Sequence, residues 1–412
     1  MLGRIERRSL HTHQAVLDER QETMKRLAIL LGSYWRRKWV LTTSTKGGSY
    51  AMNARTRVAG TIGALALITA GFGAVAGPAR AATDPAVTLR RGTVTITGTD
   101  ARDLIAITSD ATQLVVDLGF DGMVDAQFPR SRYERVQVLA GGGDDAVSLT
   151  GTGDVPITLS GGAGGDGLGV VGSIGETGEG DAPTTISGDD GNDGIFAVVP
   201  GPVTLLGGAG DDDINDGGAG VGQEAVSLGD GNDRFRSLLN SSFGARTDSV
   251  DGGIGQDTMQ FEGSFASESL SLSGSAGHLI VDHDLRDRID ADNVEDVTYF
   301  GFGGADEGGG DAVAVNDLSG TDVVRFTPNF SVNLDSTAPN NSGDTLTVRG
   351  TAGVDNITVS GSGANITVTG LTPTVTPVFL QPEDVLRIET LDGNDFVESS
   401  GRVRRLVQLL VL

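Results

Sequence analysis

Asp145, Asp166, Asp193, Asp212, Asp233 and Asp257 recur at intervals of 21, 27, 19, 21 and 24 residues. Each stands at the sixth place of a nine-residue pattern with glycine at the fourth place and an apolar residue at the eighth. GGAGGDGLG (Gly161–Gly169), GGAGDDDIN (Gly207–Asn215) and GGIGQDTMQ (Gly252–Gln260) also carry glycine at the first two places, so that Gly161, Gly164, Gly207, Gly210, Gly252 and Gly255 frame three of the aspartates. AGGGDDAVS (Ala140–Ser148), GDDGNDGIF (Gly188–Phe196) and LGDGNDRFR (Leu228–Arg236) are looser copies. Glycine adopts φ > 0 without a Cβ penalty, and its carbonyl is free to turn toward a common centre. Two such turns stacked together offer two carboxylates and several carbonyls to one gap. That donor set is all oxygen, suited to a hard cation taking six to eight ligands at about 2.3–2.6 Å. Calcium fits it. Zinc would want His or Cys, and neither occurs between Ala82 and Gly277. Magnesium prefers to keep its waters.

These aspartates need elements that hold them in line. Between successive nonapeptides lies a second apolar run: Val155–Leu159, Pro183–Ile186, Val203–Leu206 and Ala225–Leu228. Each period therefore reads as strand, turn, strand, glycine-rich turn, which is one coil of an all-β, parallel β-solenoid. The glycine-rich turns should stack on one side, and the opposite turns should absorb the differences in length. Stacked at about 5 Å, like charges need a counter-ion. The longest interval, Asp166 to Asp193, is the weakest link of the row.

A longer repeat flanks the array. Gly98–Ile105 (GTDARDLI) is matched by Gly350–Ile357 (GTAGVDNI). Glu134 and Asp384 each stand 11 positions before a weak nonapeptide aspartate, Asp145 and Asp395, and Glu295 with Asp306 repeats the interval. The chain thus divides into a basic leader (1–51), a signal peptide (52–81), a strand-rich segment (82–139), the nonapeptide array (140–262) and a strand-rich segment with degenerate repeats (263–412). No amphipathic helix is evident after residue 82.

Composition sets the remaining bounds. The chain has 412 residues, 63 of them glycine, and only 5% aromatics, so a core of large side chains is not expected. All three lysines precede Ser49, and from Ala82 onward 17 arginines face 40 aspartates and 11 glutamates. An acidic surface of this kind excludes nucleic acid as a partner and invites cations. With no cysteine there are neither disulfides nor thiolate metal sites.

Export is expected. Met52–Arg57 is a short basic opening, Val58–Gly77 is uncharged and rich in Ala, Gly, Leu and Ile, and Pro78–Ala81 places small residues at an A-x-A cleavage site. The alternative is a membrane anchor of about 20 residues, against which the weak apolarity and the cleavage motif both argue. The first 51 residues read as a start assigned too early.

The pattern GGxGxDxUx resembles the RTX, or haemolysin-type, calcium-binding repeat. The resemblance covers Ala140 to about Gln260 and implies a calcium-loaded parallel β-roll. It also implies that the six aspartates are carboxylate ligands and that the six glycines above shape the turns and lend carbonyls. Two departures matter. Repeats of that family usually follow one another directly and load both edges of the roll, whereas here one edge carries the motif, so a single row of at most about five ions is expected. That family also often exports through a C-terminal signal, whereas this chain has an N-terminal one and ends in the apolar run Arg402–Leu412, as a longer array cut short would.

Three functions compete. The first is a secreted calcium-binding protein with a structural or adhesive role, not an enzyme, whose partners are calcium ions and cell-surface or matrix polysaccharide. The second is a calcium-dependent solenoid enzyme on acidic polysaccharide, or the non-catalytic part of a larger exoprotein. An eliminating lyase needs a base, and after residue 82 the chain offers no lysine and only His278 and His283, on opposite faces of an extended segment and expected at the surface. No G-x-S-x-G occurs, so a serine esterase has no nucleophile elbow. The third, a pore former, needs an apolar or amphipathic membrane segment, and none is evident beyond residues 52–81.

Overall fold

The computed structural model describes residues 84–412 apart from 152–153, 173–181, 218–221, 239–245, 265, 285–286, 303–309, 333, 335–337, 341 and 363–364. The expected leader, signal peptide and Asp306 lie outside the described residues. The described residues are all-β, with two short 3-10 turns and no α-helix. The strands form two sheets of fifteen each, mostly parallel, and neither closes into a barrel.

The chain alternates between the sheets. Ile157–Ala163 lies in the first sheet, Gly167–Gly172 in the second, Thr184–Asp190 in the first, Gly194–Val198 in the second, and the alternation continues through Thr258–Glu262. Each strand pairs in parallel with the equivalent strand one turn of chain away. Val, Ile, Leu and Thr at alternate positions explain the strands: one face of each points between the sheets and the other toward solvent. In Val203–Ala209, for example, Val203, Leu205 and Gly207 are buried while their neighbours are half-exposed.

The parallel register stacks like on like. In the second sheet Ile105, Val147, Leu168, Ile195, Ile214, Phe235, Met259, Val297 and Phe326 are successive pairing partners. All nine are buried. In the first sheet Val138, Leu159, Ile186, Leu205, Val226 and Val250 do the same. Most of the core is aliphatic, although Tyr133, Phe235, Phe261, Tyr299, Phe326 and Phe330 are fully buried in it.

Two features go beyond the sequence pattern. The glycine-rich turn is shorter than its nine-residue pattern, because the first-sheet strand runs on through the first three places, as in Gly161–Ala163. The ladder skips the first place: Ser187 pairs with Leu206 and Asp189 with Gly208, leaving Gly188 and Gly207 between them. The flanks continue the same two sheets but add antiparallel excursions. Ser269–Ser275 and His278–His283 are inserted beside Asp287–Asp292 in the first sheet, and Asn356–Ser362 and Asn365–Thr369 make a similar hairpin in the second.

Candidate metal centre

Each nonapeptide carries the chain from a first-sheet strand to a second-sheet strand, and the aspartate sits immediately before the second strand. Places two and four have positive φ in all six copies, from +72° at Asp189 to +157° at Gly255. Asp189 is the one non-glycine residue among them. The close approach of neighbouring turns adds a second constraint. A Cβ at Gly162, Gly208 or Gly229 would run into the carbonyl of Gly141, Asp189 or Gly208 respectively.

These turns bring the six predicted aspartates into one row. The amide of Asp145 donates to Oδ1 of Asp166 (2.7 Å), Asp166 to Asp193 (2.7 Å), Asp193 to Asp212 (2.8 Å), Asp212 to Asp233 (2.7 Å) and Asp233 to Asp257 (2.8 Å). The 27-residue interval between Asp166 and Asp193 keeps the same contact as the others.

The other oxygen of each carboxylate behaves differently. Oδ2 of Asp145, Asp166, Asp193, Asp212, Asp233 and Asp257 is buried with no hydrogen-bond partner. Buried polar groups are ordinarily paired, so six orphans in line demand a cause. In the four copies that begin with glycine (Gly161, Gly188, Gly207 and Gly252) that residue faces the same space, while Ala140 and Leu228 begin the other two. A Cβ at Gly161 would collide with Oδ2 of Asp166 and lie 2.8 Å from the Gly188 carbonyl oxygen. At Gly207 it would collide with Oδ2 of Asp212 and the Leu228 carbonyl. At Gly252 it would lie 2.9 Å from Oδ2 of Asp257 and strike the Asn293 carbonyl. A carboxylate oxygen and a main-chain carbonyl of the next turn thus converge on a hollow that a methyl group would fill. Gly164, Gly210 and Gly255, at the fourth place, lie against the carbonyls of Gly143, Gly191 and Gly231.

Electrostatics make the row costly. Burial, more than any other cause, pushes the Asp145 carboxyl up to about 8, Asp166 and Asp212 to about 7, and Asp193 and Asp257 to about 6. Asp233 is raised for the same reason. The amide bond to Oδ1 pulls each value down, and neighbouring carboxylates push it up further.

The row is longer than the motif. The Asp103 amide donates to Oδ1 of Asp145 (2.6 Å), and the Asp257 amide donates to Oε2 of Glu295 (2.7 Å). Asp103 was legible only as a glycine five residues before an acid, Gly98-x4-Asp103; Glu295 carries no comparable signal. Unlike the six, Asp103 is closed: its Oδ2 accepts the amide (2.6 Å) and the hydroxyl (3.0 Å) of Thr99. Asp355 is closed similarly by Thr351. A second, outer ladder at the fifth place also escaped the pattern. Amides of Gly165, Asp211, Asn232 and Gln256 donate to the side chains of Asp144, Asn192, Asp211 and Asn232.

Three further expectations change. Glu295 heads the second-sheet strand Asp296–Phe300, so it is no counterpart of Glu134 and Asp384, which precede first-sheet strands; the shared 11-residue interval is coincidental. The opposite edge is not free of acid either: the amides of Glu268, Asp311 and Asp344 donate to Oδ1 of Asp311, Asp344 and Asp384. Glycines precede Asp311 and Asp344 here too, but no regular spacing in the sequence ties Glu268, Asp311, Asp344 and Asp384 into one row. Finally, His283 is not at the surface. It shares an inward face of His278–His283 with Leu279 and Val281 and is fully buried, whereas His278 is half-exposed, with Nδ1 2.8 Å from Oδ1 of Asp290. Burial pulls the His283 imidazole down, but Asp287 and Glu268 outweigh it and leave it at about 9.

No protein-family model, curated protein or solved structure matches this chain.

Proposed function

We propose that this chain is a calcium-binding repeat protein, a parallel β-solenoid of the RTX or haemolysin-type β-roll kind, exported and then folded by calcium to serve a structural or adhesive role. One contrast carries the reading. Where threonine follows the leading glycine, as at Thr99 and Thr351, it closes the carboxylate with its own amide and hydroxyl. Where a residue with positive φ follows instead, Oδ2 stays without a partner, and at Asp166, Asp193, Asp212 and Asp257 it lies beside a main-chain carbonyl of the next turn. Four such hollows, beside Gly161, Gly188, Gly207 and Gly252, fit a hard cation with oxygen donors only, negative charge and no side chain in the way, whereas Ala140 and Leu228 stand at that place beside Asp145 and Asp233. Asp145, Asp166, Asp193, Asp212, Asp233 and Asp257 would hold it with carboxylates, and the turns framed by Gly161, Gly164, Gly207, Gly210, Gly252 and Gly255 would add carbonyls. When bound, calcium supplies the positive charge that lets stacked carboxylates ionise together.

The magnitude suffices for a folding switch. At a dissociation constant of ~0.1 mM and external calcium of ~1 mM, each site stabilises by about 1.4 kcal/mol. Five sites would add about 7 kcal/mol, comparable with a domain's whole net stability. In low-calcium cytosol the acidic turns would stay open and exportable.

Circular dichroism of the segment from Ala82, in chelator and in millimolar calcium, tests the proposal alongside calorimetric titration. The expected result is a large gain of β-signal with calcium and a stoichiometry of up to about five. Equal β-content in both conditions, with no heat of binding, would overturn it.

A further inference from the structure

The buried His283 cluster lies on the opposite edge from the aspartate row and has a different donor set. Both ring nitrogens of His283 lack a hydrogen-bond partner although its side chain is only 1% exposed. Nε2 faces Oε2 of Glu268 at 3.6 Å and Oδ2 of Asp284 at 3.7 Å, and Nδ1 faces Oδ2 of Asp287 at 3.7 Å. A charge-assisted hydrogen bond between imidazolium and carboxylate would close to about 2.7–2.9 Å. All three contacts stop well short of that.

We propose that Glu268, His283 and Asp284 form a second metal site, built for a borderline transition-metal dication such as Zn²⁺ rather than for Ca²⁺. The three donor atoms lie within 4.8 Å of one another. Metal–ligand bonds of about 2.0–2.1 Å at tetrahedral or slightly wider angles separate N and O ligands by about 3.3–3.6 Å, close to the spacings found. An imidazole nitrogen with two carboxylate oxygens is a borderline donor set, whereas calcium takes oxygen alone.

The surroundings hold the donors in place. Oε1 of Glu268 accepts the Ser264 amide (2.7 Å), and the Tyr299 hydroxyl donates to Oε2 (3.3 Å). A Cβ at Gly263 would strike that same Oε2. Oδ1 of Asp284 accepts the amide (2.8 Å) and hydroxyl (3.1 Å) of Ser269, which leaves Oδ2 directed at His283. Metal-bound histidines commonly give their second N–H to a carboxylate, and Asp287 stands on the Nδ1 side for that purpose. Charge argues the same way. Three carboxylates around one imidazolium leave a surplus of two negative charges; a dication with neutral imidazole leaves one.

The test uses the full exported chain in excess Ca²⁺, so that the aspartate row is satisfied. Zn²⁺ is titrated by calorimetry, and Co²⁺ by its visible absorption. We expect one equivalent of Co²⁺ with the intense bands of a four- or five-coordinate ion, displaced by Zn²⁺. His283→Gln should abolish the bands. Because His283 is buried and that variant could misfold, Asp284→Asn, at a partly exposed side chain, provides the second arm and should weaken Zn²⁺ by about 10-fold or more. Absence of tight Zn²⁺ and Co²⁺ binding to folded, calcium-loaded protein, or binding that neither variant alters, would mean an ion-paired imidazolium only and overturn the proposal. Neither result bears on calcium-driven folding, which is read separately by chelation.

Discussion

Asp193 gives its backbone N–H to Oδ1 of Asp212, 19 residues on, at 2.8 Å, while its own Oδ2 remains buried and unpartnered. The same carboxylate position thus serves two purposes, one oxygen joining successive turns and the other facing a hollow. Asp212→Asn separates them. The amide oxygen can still accept the Asp193 N–H, and the amide nitrogen can donate toward the Leu228 carbonyl that borders the Gly207 hollow. In chelator above about pH 7, where the Asp212 carboxyl loses its proton, the variant should be more stable than the parent by about 1 kcal/mol, because a buried like charge is gone. In ~1 mM calcium it should be less stable by about 1.4 kcal/mol or more, because a ligand oxygen is gone. Thermal melts with and without chelator, both in a stabilising osmolyte that keeps the chelated chain folded, check the crossing; a shift of the same sign in both would refute it.

The pH dependence of the metal-free protein should run opposite to ordinary acid denaturation. The folded row holds its protons up to about 8 at Asp145 and about 6 at Asp193 and Asp257, against an ordinary value of 3.8. Between those limits the unfolded chain has released protons that the folded chain keeps, so stability falls as pH rises. In chelator, stability should be greatest near the lower limit and decline until the highest folded value is passed. Calcium must displace the same protons, so its affinity should weaken on acidification through that window. Denaturant melts across pH in chelator, in the same osmolyte, and calorimetry in calcium measure both slopes.

Much of this architecture can be read from the sequence at the places where glycine and aspartate coincide. Gly161 and Asp166 announce a turn that only a Cβ-free residue permits, and the alternation of Val203, Leu205 and Gly207 announces the strand feeding the next one. Asp103 is less legible because its turn keeps only the leading glycine, Gly98, with Thr99 and Ala101 standing where the motif has residues of positive φ. Glu295 is harder still: its longer side chain reaches the row from a turn with no glycine pattern. His283 was misplaced because an alternating segment shows which residues share a face but not which face is covered. The inserted antiparallel strand decided that.

Gly207→Ala should cost far more than its size suggests. The added methyl would collide with Oδ2 of Asp212 and with the Leu228 carbonyl, and one of those is rigid backbone. A loss of about 3 kcal/mol is expected, with one calcium equivalent lost as well. Gly343→Ala is the matched control, because Gly343 is exposed and its Cβ would find nothing nearer than the Glu383 carbonyl at 4.0 Å. It should change stability by less than about 0.5 kcal/mol. Equal costs at the two positions would show that the Gly207 hollow relaxes freely and holds nothing.

Asp103 separates membership of the ladder from a role in binding. It shares the hydrogen-bonded row, since its amide donates to Oδ1 of Asp145, but Thr99 occupies the oxygen that the six motif aspartates leave open. If open oxygens are what calcium seeks, Asp103→Asn should leave the calcium stoichiometry unchanged. It should cost about 1–2 kcal/mol through the disturbed Thr99 bonds, by the same amount in chelator and in calcium. Asp145→Asn, one turn away on the same row, should instead lose stability mainly when calcium is present. Melting both variants in both conditions, in the same osmolyte, gives four numbers and one decisive comparison. A calcium-dependent effect at Asp103 as large as that at Asp145 would mean that ladder position alone governs binding and that the threonine cap is irrelevant to it.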